Sequence, residues 1–220
     1  MKLLSIIQAR SVWIGPLADL NPRGKGNPEF RVDLKDRYQF QTVPSSIYEA
    51  MKTTQNASFE AGVFTTKKKE KVTVTVTFNS GGLVADCRSS TADGDEFLED
   101  MMNWLCPNYG YEDYRQIFAK RAYISTLNCS LNKPLDRLNP KLSKFAAMFG
   151  KHIVGFEDMT YETGVVHIWP NTTIAPKPPI GFRIERQEGT APEENRFFSQ
   201  APTTTESHLE LLKSFEELLE

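Results

Sequence analysis

The sequence predicts an α+β fold, a mainly antiparallel sheet built from hairpins with helices packed on one face. Three stretches carry that prediction. Residues 71–78, Lys-Val-Thr-Val-Thr-Val-Thr-Phe, alternate strictly, so Val72, Val74, Val76 and Phe78 share one face of a strand and Thr73, Thr75 and Thr77 the other. Asn79-Ser80-Gly81-Gly82 then supplies the residues a tight reversal needs, and residues 83–87 return as a second strand. Finally, Phe97, Leu98, Met101, Met102 and Leu105 recur at helical spacing, which places a helix over 95–106 directly after the hairpin. The rest of the chain is laid around this strand-turn-strand-helix unit.

Taken in order, residues 3–14 read as a strand with apolar residues on both faces: Leu3, Ile7 and Trp13 against Leu4, Ile6, Val12 and Ile14. Such a strand is either covered or paired across an interface. Gly15-Pro16 ends it, and residues 21–28 are a loop on composition. Residues 33–41 are ambiguous. Ser45 or Ser46 opens a short helix through Met51, because Ser46 precedes Glu49 at capping-box spacing. Residues 59–65 form a strand, joined to the 72–78 strand by a lysine-bearing turn. Ser90, Thr91 or Asp93 caps the next helix, and acids occupy its first turn. Pro107 and Gly110 stop it.

Residues 112–121 read as a helix with a thin apolar face, and 122–131 as a strand. Asn139-Pro140 is a strong helix start, with Leu142, Phe145, Ala146 and Phe149 as the buried stripe and Gly150 as the end. Residues 164–169 and 180–186 read as strands, separated by a Pro-rich connection at 170–179 and followed by a polar loop at 187–195. The last segment is the clearest helix. Thr203 and Glu206 make a T-x-x-E box, and Leu209, Leu211, Leu212, Phe215, Leu218 and Leu219 recur against Glu210, Glu216, Glu217 and Glu220. The expected organisation is an α+β core over 1–170. Residues 171–220 add a connection, a strand and an amphipathic helix packed on that core.

Composition narrows the function classes. Hydrophobic residues at 40% and charged residues at 25% suit a folded domain, so disorder is expected only locally. A formal net charge of -2 argues against nucleic-acid binding through a general positive field. Cys87, Cys106 and Cys129 are few and far apart, the usage of a reducing compartment. Residues 1–7 open like a secretion signal, but Gln8 and Arg10 cut the apolar run and no small-residue cleavage site follows. The N-x-S/T matches at Asn56, Asn128 and Asn171 are then chance. No stretch approaches the ~20 apolar residues that span a bilayer. These features point to a cytoplasmic protein.

Five features carry candidate chemistry. Asp86, Asp93 and Asp95, with Glu96, Glu99 and Asp100 beside them, are closely spaced carboxylates of the kind that hold Mg²⁺ or Ca²⁺. They do not follow a calcium-loop pattern, and helix capping accounts for all of them except Asp86. Arg88-Ser89-Ser90-Thr91 enters a helix N-terminus, where an anion can sit, but no Walker lysine or glycine pattern accompanies it. Lys67, Lys68, Lys69 and Lys71 crowd a hairpin tip, with Phe59 and Phe64 nearby. They form either a nucleic-acid contact or a solvated edge that discourages aggregation. His152, His167 and His208 are the only histidines, and no G-x-S-x-G, H-E-x-x-H or C-x-x-C motif includes them. No catalytic residue and no cofactor is assigned.

The fifth feature is the terminal helix, whose Leu209, Leu212, Phe215 and Leu219 either fold back on the body or meet a partner. The reading that results is a non-catalytic interaction or assembly module that self-associates or takes a protein partner. A metal-dependent phosphoester enzyme using Asp86, Asp93 and Asp95 is the first alternative. A nucleic-acid adaptor using the four lysines is the second.

Overall fold

A computed structural model of the chain describes residues 1–21, 29–45, 56–155, 159–171, 173 and 180–220. The expected loop beyond Asn21, the short helix through Met51 and most of the Pro-rich connection lie outside the described residues. The architecture is α+β, with eight strands in one antiparallel sheet ordered β2-β3-β4-β1-β5-β8-β7-β6. The strands are β1 (Lys2–Ile14), β2 (Ala57–Thr65), β3 (Lys71–Asn79), β4 (Gly82–Cys87), β5 (Lys120–Ser130), β6 (Val165–Ile168), β7 (Phe182–Arg186) and β8 (Arg196–Ala201). The helices are α1 (Phe30–Tyr38), α2 (Thr91–Tyr109), the single turn α3 (Tyr114–Ile117), α4 (Pro140–Gly150) and α5 (Thr205–Glu217). Among the described residues no helix is long and apolar enough to cross a membrane. The chain divides into two compact units, one of residues 8–125 with 203–205, the other of 1–7, 126–202 and 206–220. The break expected at 170 falls inside the second of these.

The first unit is built around the β3–β4 hairpin. Phe78 faces Leu83 and Asn79 faces Gly82 across the turn, while Val76 faces Ala85 and Val74 faces Cys87. On the other side of β4, Trp13, Ser11 and Ala9 lie opposite Leu83, Ala85 and Cys87. Directly opposed residues point to the same face, so these positions make one continuous buried surface. Phe30, Leu34 and Tyr38 of α1 and Phe97, Leu98, Met101, Met102 and Leu105 of α2 cover it.

β2 joins this face through a bulge. Phe59 and Phe64 are five residues apart, an odd spacing that simple alternation would send to opposite faces. Between Phe59 and Gly62 the register shifts, and Ala61 turns to φ 53°. The one extra residue, three steps on β2 against two on β3, returns Phe64 to the core beside Phe59, and both are buried.

The second unit packs α5 onto β5, β7 and β8. Leu127, Cys129, Ile184 and Phe197 from the strands meet Leu212, Phe215 and Leu219 from the helix, with Leu131 and Leu135 closing the cluster. β8 follows the polar loop at 187–195, in a stretch that no sequence signal marks as a strand. Glu216 near the end of α5 accepts from the Met1 ammonium and, at 2.8 Å, from the Asn132 N–H. Burial pushes its carboxyl up, and these two donors more than offset it, so the net shift is downward. The terminal turn is thereby held where the helix dipole alone would fray it.

Three element assignments change. Residues 112–121 hold one helical turn rather than a helix: Asp113 caps it, Phe118 is buried after it, and β5 begins at Lys120. Residues 33–41 resolve as α1, which ends with Gln39 at φ 55°. α2 passes Pro107 and stops only at Gly110, φ 66°. Pro107 offers no N–H to the Asn103 carbonyl, so the last turn forgoes one bond without ending there.

Candidate functional site

The three carboxylates considered for a metal are each engaged separately. Asp86 on β4 lies opposite Arg10 on β1. It accepts from Arg10 Nε at 2.8 Å and Nη2 at 2.9 Å, and from Gln8 Nε2 at 2.9 Å. That forked bond holds the Arg10 guanidinium above its usual pKa, despite partial burial that opposes the charge. Asp93 serves the helix start. Ser90 Oγ accepts from the Asp93 N–H at 3.1 Å and donates to the Asp93 carboxylate at 2.8 Å, so of the three cap candidates Ser90 is the one used.

Asp95 binds the strands. It accepts from Trp13 Nε1 and Tyr123 Oη, each at 2.8 Å, and sits 3.6 Å from the Arg121 guanidinium, which lies 3.6 Å over the Trp13 ring. Burial, then the Asp95 bond, push the Tyr123 phenol up to about 12. Among the described residues no three His, Cys, Asp or Glu side chains are grouped as a metal requires. Asp86, Asp93 and Asp95, expected as a cluster, are therefore a cross-strand pair, the partner of the Ser90 cap and a strand-to-helix clamp. Sequence spacing brought them close along the chain, but the hairpin and helix aim them apart.

The anion reading of residues 88–91 meets the same difficulty. The Thr91 N–H donates to Thr205 Oγ1 at 3.1 Å, and the Thr205 N–H donates to Thr91 Oγ1 at 3.0 Å. The Thr91 carbonyl takes a bond from Ser11 Oγ at 2.8 Å. The Thr91 N–H and hydroxyl are thus engaged with Thr205 rather than open to an anion.

Lys67, Lys68, Lys69 and Lys71 are exposed at the β2–β3 turn, which Lys69 closes at φ 65°. The Lys67 N–H donates to Glu96, and one cleft is lined by Lys67 together with Glu96, Glu99 and Asp100. These carboxylates temper the positive field that a nucleic-acid contact draws on.

A serine–histidine pair that sequence motifs did not reveal lies in the second unit. Ser199 on β8 and His208 on α5 are fully buried, with Oγ 2.9 Å from Nε2. That is nucleophile-to-base distance, but Ser199 Oγ donates its single proton to the Arg183 carbonyl at 2.9 Å. His208 Nε2 is then the donor, opposite to what a general base requires. Burial lowers the imidazole to about 4, so the pair is a neutral structural link between α5 and the β7–β8 hairpin. Cys87 and Cys129 are buried thiols whose pKa burial raises, that of Cys129 to about 12.

The terminal-helix residues are placed inward. Leu212, Phe215 and Leu219 belong to the core of their own chain, and Leu209 packs half-buried against it. The apolar surface left uncovered is elsewhere. Asn139 caps α4 through the Lys141 N–H at 3.1 Å, as its sequence predicts, but α4 buries no residue. Ser143, Ala146 and Gly150 are only half-buried, and Gly150 approaches Tyr161. Leu142, Phe145 (62% exposed) and Met148 (59%) face outward, as does part of Phe149, whose ring meets Tyr161 edge-on with centroids 5.2 Å apart. The stripe expected to be buried is thus in solvent. β6, at the end of the sheet, adds Val165, Ile168 and Trp169 (68%).

No protein-family model and no curated protein matches this chain.

Proposed function

We propose that this chain is a non-catalytic assembly module that self-associates through the uncovered apolar surface of α4 and the β6 edge. The observation that carries the reading is α4, an amphipathic helix with four large apolar side chains outside and none fully buried. A monomer that kept this surface in water would forgo the burial that drives its other elements together. β6 adds an open strand edge beside exposed apolar groups, the feature that sheets otherwise blunt or cover. A cytoplasmic location belongs to the same proposal and rests on three cysteines kept as thiols. A phosphoester reaction at Asp86, Asp93 and Asp95 is not proposed, because separate partners hold the three apart.

Light scattering across a concentration series tests the reading. The native chain is expected to run as a multimer. Phe145→Asp combined with Met148→Asp is expected to return it to the monomer mass while circular dichroism keeps the native spectrum, the melting temperature falling only by what association had added. A native chain that stays monomeric up to millimolar concentration would refute the proposal.

A further inference from the structure

Resting on that reading, we infer that the outer face of α4 packs against the outer face of α5 of a second copy of this chain. Two uncovered helix faces of opposite charge support the pairing. Residues 137–156 contain no acid, and Lys141 and Lys144 stand beside Leu142, Phe145, Met148 and Phe149 on the exposed side of α4. α5 has used its inner side for the core, through His208, Leu212, Phe215 and Leu219. Its outer side exposes Glu206, Glu210 and Glu217 beside Leu211 (50% exposed) and Leu218 (68%), with Lys213 as the one cation there.

The two faces also match in spacing. Leu211 on α5 and Leu218, one residue past its end, are seven residues apart, as are Leu142 and Phe149 on α4, where seven residues span about 10 Å. Glu210 and Glu217 flank one pair, and Lys141 and Lys144 flank the other. Facing helices then bury leucine and phenylalanine at the seam while opposite charges line its border, the arrangement that sets partner and orientation between helices. Each copy carries both faces, so a two-fold pair makes the contact twice, while a head-to-tail arrangement closes a ring or runs on as a filament.

Charge reversal tests this pairing, with circular dichroism and melting curves checking that every variant folds. Sedimentation equilibrium on the native chain is expected to show dissociation at least about tenfold stronger at about 500 mM NaCl than at about 50 mM. The double variant Lys141→Glu/Lys144→Glu is expected to lose self-association, and so is Glu210→Lys/Glu217→Lys. Mixing the two restores it, because each then offers what the other lacks. A native multimer indifferent to both reversals overturns this pairing and leaves self-association standing. A native chain that is monomeric throughout overturns both. A monomer that instead co-sediments with phosphatidylglycerol vesicles, and loses that binding on Lys141→Glu/Lys144→Glu, assigns α4 to an anionic lipid surface and overturns the second copy as its occupant.

Discussion

Asp95 and His208 show how single side chains tie segments distant in sequence. Asp95 gathers Trp13, Arg121 and Tyr123 from two strands onto the N-terminal part of α2. Asp95→Asn keeps the shape but sets an amide N–H₂ against one of two donors and leaves Arg121 unpaired. A loss of about 1–2 kcal/mol in urea unfolding is expected. His208 supplies a pH signature. Its folded pKa of about 4 lies below the ordinary 6.5, so the unfolded chain takes up a proton that the folded one refuses. Stability from this group is intact above pH 6.5, falls as the pH drops toward 4, and levels off below, a total of about 3 kcal/mol. Urea melts at neutral and acid pH, compared between the native chain and His208→Leu, isolate this contribution from that of the carboxylates. An identical pH slope in both would rule it out. No motif in the sequence marks this residue, because its serine partner is nine residues away on β8, a strand without a local signal of its own.

Elements formed where local signals and packing agreed. The β3–β4 hairpin did so because β-branched alternation, the turn residues and two flanking strands all require the same register. Gly82 is the strict position: it holds φ 148°, and a Cβ there would stand 2.0 Å from the Trp13 carbonyl oxygen. Gly81 would meet only Asn79 Oδ1, at 3.5 Å. Gly82→Ala is expected to cost about 3 kcal/mol or more, and Gly81→Ala to stay within about 0.5 kcal/mol, in thermal unfolding. The segment 112–121 went the other way. Its thin apolar face gave a helix nothing to bury, so one capped turn suffices before β5 takes the chain. Phe59 and Phe64 were legible as core residues, but the bulge that reconciles their odd spacing shows itself only in the pairing with β3.

At the scale of the whole molecule, the two amphipathic helices of the second unit differ in how their faces are used. α4 reads as a buried helix and stands exposed, whereas α5, which reads as either packed on the body or open to a partner, lies in the core. Substitutions separate the two. Leu212→Ala, deep in the α5 cluster, is expected to cost about 2–5 kcal/mol of stability, whatever the oligomeric state. Phe145→Ala on α4 is expected to leave the monomer's stability within about 0.5 kcal/mol and to weaken self-association. Unfolding curves and light scattering on the same two variants read both effects.

The sequence by itself determined the α+β class, most strands, the hairpin and its turn, the Ser90 and Asn139 caps among the candidates, and the apolar faces of α2, α4 and α5. These follow from spacing, propensity and backbone geometry, which act over a few residues and are written in the order of the chain. Tertiary structure alone decided which face is covered, which acids meet, and that Ser199 and His208 pair with their polarity reversed. A side chain's environment depends on what folds against it from far along the chain. Periodicity can therefore announce that a face is apolar, but only the assembled sheet and helices determine whether that face is buried or left for another surface.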